Sequence, residues 1–340
     1  MQRLVLTARA TLRLEDVPIP RPAAGEILLR NIVAGICRTD RKCFRMGQRD
    51  LVLPRVLGHE LAGVVHATGP GVTGYRPGDR VQLHPGIGCG HCDDCRQGND
   101  QLCRQMQIFG FHLDGGFSTY TLIPPAGVQR GVLQKLPDAL RSETAALAEP
   151  LACAVNMAER LDFARGRSLL IVGGGVLGLL TAGLAKCRGL TDVVILEQEP
   201  AKAALAQAGG FPVLPADSDD AELLRTRPRG FDLAIPCCPD NDGWRRAVKL
   251  LKKRGQLGFF SGLTAETPLD AATLNRIHYN ELAVFGAYGC GLRHSKAALQ
   301  LLCAHEENFR LPTKTITLEE APRVLAQSEV RDTILTAIHF

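Results

Sequence analysis

At 340 residues, with 45% hydrophobic and 22% charged, the chain has the length and composition of two compact domains and excludes a protein dominated by disordered tails. Its 40 Lys+Arg against 35 Asp+Glu leave a formal charge of +5 with no long basic block, so no nucleic-acid partner is expected. The opening residues lack the pattern of a signal peptide, and no apolar run approaches the roughly 18 to 20 residues of a membrane helix. A cytoplasmic protein with no membrane partner is the expectation.

The opening run MQRLVLTARATLRLEDV alternates like a strand. To about residue 150 short β-like runs follow, among them Ile27–Val33, Leu61–His66 and Arg80–Leu83. Turn signals at 22–25, 69–71 and 77–79 separate them, as in an irregular, mostly antiparallel β domain. The character changes at Ser142–Leu161, a long apolar stretch with helical spacing for which Ser142 is a candidate cap. From Ser168 the pattern is strand (Ser168–Val172), glycine turn, helix (Val176–Cys187), strand (Val193–Leu196). Further strand candidates are Leu233–Pro236, Gln256–Phe260 and Leu282–Phe285, so the fold class is α/β with a doubly wound parallel sheet. After about Leu292, two helix-like segments and a last strand, Thr333–His339, close the chain without internal repeats.

Twelve cysteines in a reducing compartment point to metal ligands or small buried residues rather than disulfides, and spacing decides between them. Cys89, Cys92, Cys95 and Cys103 fall within fifteen residues, a spacing that suits tetrahedral zinc. Incidental cysteines or a disulfide pair are the weaker alternative. Four sulfurs close the coordination shell, so this zinc would be structural.

A second set is more dispersed. His59 and Glu60 lie in the run Gly58-His-Glu-x2-Gly63-x5-Gly69-x2-Val72, Cys37 stands in Gly35-Ile-Cys-Arg-Thr-Asp40, and Glu149 interrupts an apolar helical stretch. A buried lone carboxylate costs several kcal/mol unless paired or metal-bound. Cys37, His59 and Glu149 offer sulfur, nitrogen and oxygen, leaving a fourth position for water or substrate, as at a catalytic zinc. Any one of them alone would more often be structural; the set carries the reading.

Ser168–Val172 runs into Gly173-Gly-Gly175-Val176-Leu177-Gly178, a G-x-G-x-x-G turn that opens a helix. Such glycines let a dinucleotide pyrophosphate approach the backbone at the helix N-terminus. Glu197, 19 residues beyond Gly178 at the end of the next strand, suits ribose hydroxyls and repels a 2′-phosphate, favouring NAD over NADP. The basic stretch with Arg38, Arg41, Lys42, Arg45 and Arg49 is read as a solvated loop, with anion recognition by Lys42, Arg45 or Arg49 as the sharper alternative. Phe44, Phe109 and Phe111 are candidates for lining a cleft, though aromatic residues are more often core.

Together the GHE-x2-G-x5-G-x2-V run, the Cys37 context, the Cys89–Cys103 lobe and the glycine turn resemble the zinc-containing medium-chain dehydrogenase/reductase (alcohol dehydrogenase) superfamily over essentially the whole chain. The GIC-x-T/S-D and EPL forms are most similar to the sorbitol (polyol) and threonine dehydrogenase branches. The resemblance implies a β-rich, GroES-like catalytic domain over 1–150 and 292–340, and an NAD-binding Rossmann domain over 151–291. It implies two zincs per chain, the catalytic one held by Cys37, His59 and Glu149, with Glu60 as an alternating ligand. Thr39 is the residue that hydrogen-bonds the substrate oxygen. Lys42 stands where many relatives carry a proton-passing histidine, so Lys42 or water would take that step. Arg38 and Lys202 match cofactor-contacting positions, beside Gly173, Gly175, Val176, Leu177, Gly178 and Glu197.

The implied activity is reversible NAD-linked oxidation of a secondary alcohol to a ketone, the substrate being a polyol, cyclitol or sugar derivative, phosphorylated or not. Alternatives are L-threonine 3-dehydrogenase-like activity, a non-catalytic NAD(H)-binding sensor and a zinc-independent quinone or enone reductase, the last disfavoured by the intact ligand set. A homo-oligomer, dimer or tetramer, is expected by the same analogy.

Overall fold

The structure is a computed structural model that describes residues 1–164, 167–263, 270–327 and 335–340. Contacts divide the chain into one unit of Met1–Ala152, Cys290–Glu306 and Arg310–Phe340, and another of Cys153–Gly289 and Glu307–Phe309.

The first unit is organised around the strand Ile27–Ile36, nearly every residue of which is buried. It pairs antiparallel with Glu60–Thr68, Tyr120–Ile123 and Leu335–His339. The wider sheet runs in the spatial order Leu133–Lys135, Arg80–Leu83, Glu60–Thr68, Ile27–Ile36, Leu335–His339, Thr313–Ile316. Leu4, Leu6, Leu29, Leu57, Leu61, Phe109 and Phe117 form its core. Both central strands are longer than their sequence patterns suggest, and the extra residues matter. One strand ends at Ile36, directly before Cys37, and the other begins at Glu60, directly after His59. Gly35 and Glu60 are register partners, so the pairing itself brings the candidate ligands together. The closing strand is seen over Leu335–His339; Thr333 and Ile334 lie outside the described residues. Its parallel neighbour Thr313–Ile316 has no counterpart in the sequence reading, because four residues, two of them exposed, are too few to show a period.

One expectation is corrected. Ser142–Leu161 is not one helix but two, Ser142–Ala146 and Ala148–Arg160, and Ser142 is not the cap. Pro150 has no N–H to give to Ala146, so the chain restarts with proline in the first turn, where a missing donor costs nothing. Arg141 takes the cap position, and the Ser142 hydroxyl accepts from Arg80 Nη2 at 3.4 Å.

The second unit carries a six-stranded parallel sheet in the spatial order Val213–Pro215, Asp192–Glu197, Ser168–Val172, Phe231–Pro236, Leu251–Phe259, Ala283–Gly286. In chain order this is 3-2-1-4-5-6, the doubly wound arrangement whose crevice lies at the carboxyl end of the first strand. All five residues of Ser168–Val172 are buried, as a central parallel strand covered on both faces requires. No helix among the described residues is long and apolar enough to cross a membrane.

Phe117 is wholly buried and lies against Gly58, where an added Cβ would stand 2.5 Å from its ring. Phe117→Ala is expected to destabilise the first unit by about 3 to 5 kcal/mol through loss of burial and the cavity left behind. A lowered urea midpoint, with little change in slope, is the measurement that checks it.

Candidate active site

Cys37, His59 and Glu60 present ligand atoms within 4.8 Å of one another. Cys37 Sγ is 3.2 Å from His59 Nε2, close to the roughly 3.5 Å that two ligands of a tetrahedral zinc would show. Glu60 Oε2 fills the space beside Gly35, where a Cβ would come within 2.4 Å, so a side chain at this strand position would displace the Glu60 carboxylate. Glu149, in the first turn of Ala148–Arg160, is not part of that trio. Its carboxylate lies near Glu60, and Cys290 Sγ stands 3.9 Å from its Oε1.

Asp40 organises the trio, and nothing in the sequence reading gave it a role. Its carboxylate is wholly buried and accepts from Cys37 N at 3.0 Å and from Gly58 N at 3.4 Å. His59 Nδ1 is 3.4 Å from Asp40 Oδ1, which leaves Nε2 as the nitrogen facing Cys37. An acid three residues after Cys37, at the head of the helix Arg38–Met46, is the capping-box position and was the signal available.

The electrostatics call for a cation. Burial, reinforced by Asp40, pushes the Cys37 thiol far above its ordinary range. Burial and the neighbouring Glu149 push Glu60 up to about 8. Burial opposes a charge on His59, yet Cys37 and Asp40 outweigh it and hold the imidazole well above the usual histidine value. The Cys37 thiol and the carboxyls of Asp40 and Glu60 therefore crowd around the His59 imidazole, with Glu149 acting on Glu60. Buried acidic groups short of positive charge are what a divalent ion neutralises, fixing thiolate and neutral imidazole at once. The donors fit zinc.

The sulfurs of Cys89, Cys92, Cys95 and Cys103 also lie within 4.8 Å of one another, and none is in a disulfide. Cys89 and Cys95 are 3.9 Å apart, against roughly 3.8 Å for two sulfurs on one tetrahedral zinc. Backbone N–H groups of Cys89 and Gln105 point at Cys103 Sγ, and that of Cys92 at Cys89 Sγ, each at 3.4 Å. Donors of this kind hold the Cys89 thiol near 6, whereas burial pushes Cys95 up to about 12. Such amide-to-sulfur bonds stabilise thiolates, and this cluster too fits zinc.

In the second unit, Gly178 cannot be replaced: a Cβ there would stand 1.9 Å from Gly173 O. Gly175, the residue before helix Val176–Cys187, faces open space. Glu197 is buried and its carboxylate accepts from Gly174 N at 2.6 Å, Gln198 N at 2.7 Å and Glu199 N at 2.8 Å. Three of its roughly four acceptor directions are thus taken by backbone. Lys202 is half-buried on the helix Pro200–Ala208.

The helix Arg38–Met46 carries Thr39 half-buried, with Arg38 and Lys42 exposed. Arg41 and Arg45 have a structural task, donating to Val324 O at 2.6 Å and Ala326 O at 2.9 Å at the end of helix Ala321–Ala326. Orphan carbonyls at a helix C-terminus are a favourable place for cations. Arg49 pairs with Asp50 at 3.1 Å. Phe44, Phe109 and Phe111 are core residues, Phe111 holding its ring 5.5 Å from that of His59 at a tilt of 52°.

Comparison with known proteins identifies the chain's relatives. Residues 23–135 match the alcohol dehydrogenase GroES-like domain, and residues 176–304 match the zinc-binding dehydrogenase family. L-threonine 3-dehydrogenase of Pyrococcus abyssi is 30% identical over 283 residues, 81% of this chain and 79% of that protein. Sorbitol dehydrogenase of Bacillus subtilis is 28% identical over 330 residues, 94% of this chain and 91% of that one. A crystal structure from Sinorhizobium meliloti 1021, provisionally assigned as a zinc-binding dehydrogenase and bound to NADP, superposes with a TM-score of 0.90 at 27% identity, covering 100% of this chain and 99% of that one.

Two outcomes are expected. Asp40→Ala should weaken zinc retention at Cys37 and His59 by about 10- to 100-fold, measured by competition with a chromogenic chelator. In the metal-free protein, Glu60 favours folding while protonated: its contribution is full below about 4.5 and is lost as pH rises through about 8. Denaturation midpoints of the apoprotein should therefore fall across that window, and Glu60→Gln should flatten the fall.

Proposed function

This chain belongs to the zinc-containing medium-chain dehydrogenase/reductase superfamily, and on that premise we propose that it oxidises a secondary alcohol to a ketone, reversibly, with NAD as hydride acceptor. The single observation that carries the proposal is the Cys37–His59–Glu60 cluster, half-buried at Cys37 and buried at His59 and Glu60, with Glu149 beside it. Cys37, His59 and Glu149 would hold the catalytic zinc, with Glu60 as an alternating ligand; Cys89, Cys92, Cys95 and Cys103 would hold a second, structural zinc. The catalytic metal supplies Lewis acidity, lowering the pKa of a hydroxyl as it lowers that of water to about 7.

The protein's own groups do the rest. Thr39 accepts the substrate hydroxyl proton in a hydrogen bond and orients the oxygen. Lys42, exposed on the same helix, or water leads that proton to solvent. Asp40 keeps His59 in the tautomer whose Nε2 is free to bind. On the cofactor side, the turn Gly173–Gly178, with Val176 and Leu177 opening the helix, takes the pyrophosphate. Arg38 and Lys202 add positive charge for the cofactor. Glu197 presents its remaining acceptor direction to the ribose hydroxyls. Because three backbone donors fix that carboxylate, it cannot swing aside for a 2′-phosphate, which supports NAD over NADP.

Neighbouring hydroxyls on the substrate, as in a polyol, cyclitol or sugar derivative, are the first choice, supported by the relative named sorbitol dehydrogenase. L-threonine is the second reading, favoured by the relative named L-threonine 3-dehydrogenase. A homodimer is also proposed: Ala283–Gly286 ends the parallel sheet with one edge unpaired among the described residues, and Val284 and Tyr288 there are 42% and 45% exposed.

The experiment is NADH formation across polyols, cyclitols, sugar phosphates, L-threonine and simple secondary alcohols, with NADP in parallel. Turnover with NAD, abolished by a chelator and by Cys37→Ser while NADH binding persists, is the expected result. Silence across the panel from a zinc-loaded protein that still binds NADH would favour a sensor. Glu197→Ala should narrow the preference for NAD over NADP by at least about tenfold in kcat/KM.

A further inference from the structure

The four-cysteine lobe reaches beyond its own sulfurs. Asp100 lies on the short turn Asp100–Leu102, between Cys95 and Cys103, and is only 5% exposed. Both of its carboxylate oxygens stand 3.2 Å from the backbone nitrogen of Leu292, the first residue of helix Leu292–Ala304. A carboxylate there satisfies one of the helix's unpaired first-turn donors and meets the positive end of its dipole. The seat is tight: a Cβ on Gly291 would come within 2.4 Å of Asp100 Oδ1 and 2.6 Å of Gln101 Oε1. Arg293 adds a second tie, donating from Nε to Gly98 O at 2.9 Å.

On the other flank of this junction is Cys290, immediately before Gly291. Its thiol lies 3.9 Å from both the backbone oxygen and Oε1 of Glu149. The lobe, the start of the helix and Glu149 therefore form one continuous chain of contacts. Deeper in the helix, Ser295 Oγ accepts from Gln134 Nε2 at 2.7 Å, so the body of the helix is seated independently and only its start depends on Asp100.

We propose that Asp100 is a positioning residue that makes the assembled four-cysteine lobe a condition for holding Glu149 beside Glu60. Cys95 and Cys103 flank the turn Asp100–Leu102, so cross-linking the four sulfurs through a metal would hold both of its ends, in addition to the backbone bonds Asn99 N–H to Asp94 O and Leu102 N–H to Asn99 O. When that turn loosens, Leu292 N–H loses its acceptor, the start of the helix frays, and Cys290 leaves its seat against Glu149. The lobe then sets the affinity of the catalytic metal rather than acting only as a local staple. This inference rests on the reading of Cys37, His59 and Glu149 as catalytic ligands.

The test uses the zinc-loaded full-length protein, with Asp100→Ala, Asp100→Asn and Cys290→Ala. Three quantities are read: amide exchange over residues 290–304, zinc release to a chromogenic chelator, and kcat with KM. Asp100→Ala should raise exchange at the start of the helix, release one zinc about tenfold faster than the other, and lower kcat more than it raises KM. Asp100→Asn keeps an acceptor for Leu292 N–H and should recover most of both exchange protection and zinc retention. Cys290→Ala should speed release of that one zinc without raising exchange at 292–295. Unchanged exchange in a folded Asp100→Ala protein would overturn the proposal, as would raised exchange with both zincs retained as in the unaltered chain. Exchange and zinc release that respond as expected in a protein without turnover would uphold the latch and sink the dehydrogenase reading instead.

Discussion

A buried carboxylate with no cation beside it is costly, and Asp40 escapes that cost through its neighbours: two backbone N–H groups, from Cys37 and Gly58, and the Nδ1 face of His59. Those partners come from the end of one central strand and the approach to the next. Satisfying Asp40 therefore fixes where Cys37 leaves the sheet, where Gly58 turns toward it, and which nitrogen of His59 faces the thiol. The adjacent pairing of Gly35 with Glu60 then brings in an oxygen donor. One side chain that never needs to touch substrate sets the positions of three that would hold the metal.

The two cysteine-containing centres solve different problems with related chemistry. In the lobe, short loops bring four sulfurs together and backbone donors aim at them, leaving no position for another ligand. At Cys37 the donors are mixed, buried and rich in acid, a combination that is uncomfortable without a cation and reactive with one. The lobe is not isolated from the second centre. Asp100 reaches the helix start at Leu292, and Cys290 next to it touches Glu149. The four-cysteine lobe and Glu149 thus share a mechanical connection that spans nearly two hundred residues of sequence.

Glu197 shows how a parallel sheet fixes a side chain with backbone donors. The carboxylate sits at the end of the strand beside the glycine turn, and its hydrogen bonds to Gly174, Gln198 and Glu199 tie the two together. Any group displacing it would have to break charge-assisted bonds, each worth more than an ordinary one. The turn in turn depends on Gly178, which packs against the carbonyl of Gly173 too closely for any side chain.

Whatever depended on local spacing was legible in the sequence. The four cysteines within fifteen residues, the G-x-G-x-x-G turn after an apolar strand, and the strand–helix alternation of the second unit all express contacts between near neighbours, so periodicity and motif suffice. Pro150 was equally local, and its missing N–H accounts for the break in the helix where a continuous one was expected. Tertiary pairing decided the rest. Asp40 reads as an ordinary helix-start acid until the sheet brings His59 to it, and Arg41 and Arg45 read as a solvated basic run until the helix Ala321–Ala326 presents its carbonyls. Asp100 and Leu292 are 192 residues apart, and no local pattern can encode a hydrogen bond across that distance. The sequence determined which donors exist and the strand or helix character of the segments with a clear period; the antiparallel register of Ile27–Ile36 with Glu60–Thr68 determined which donors meet, because only long-range pairing can place side chains from distant segments in one buried pocket.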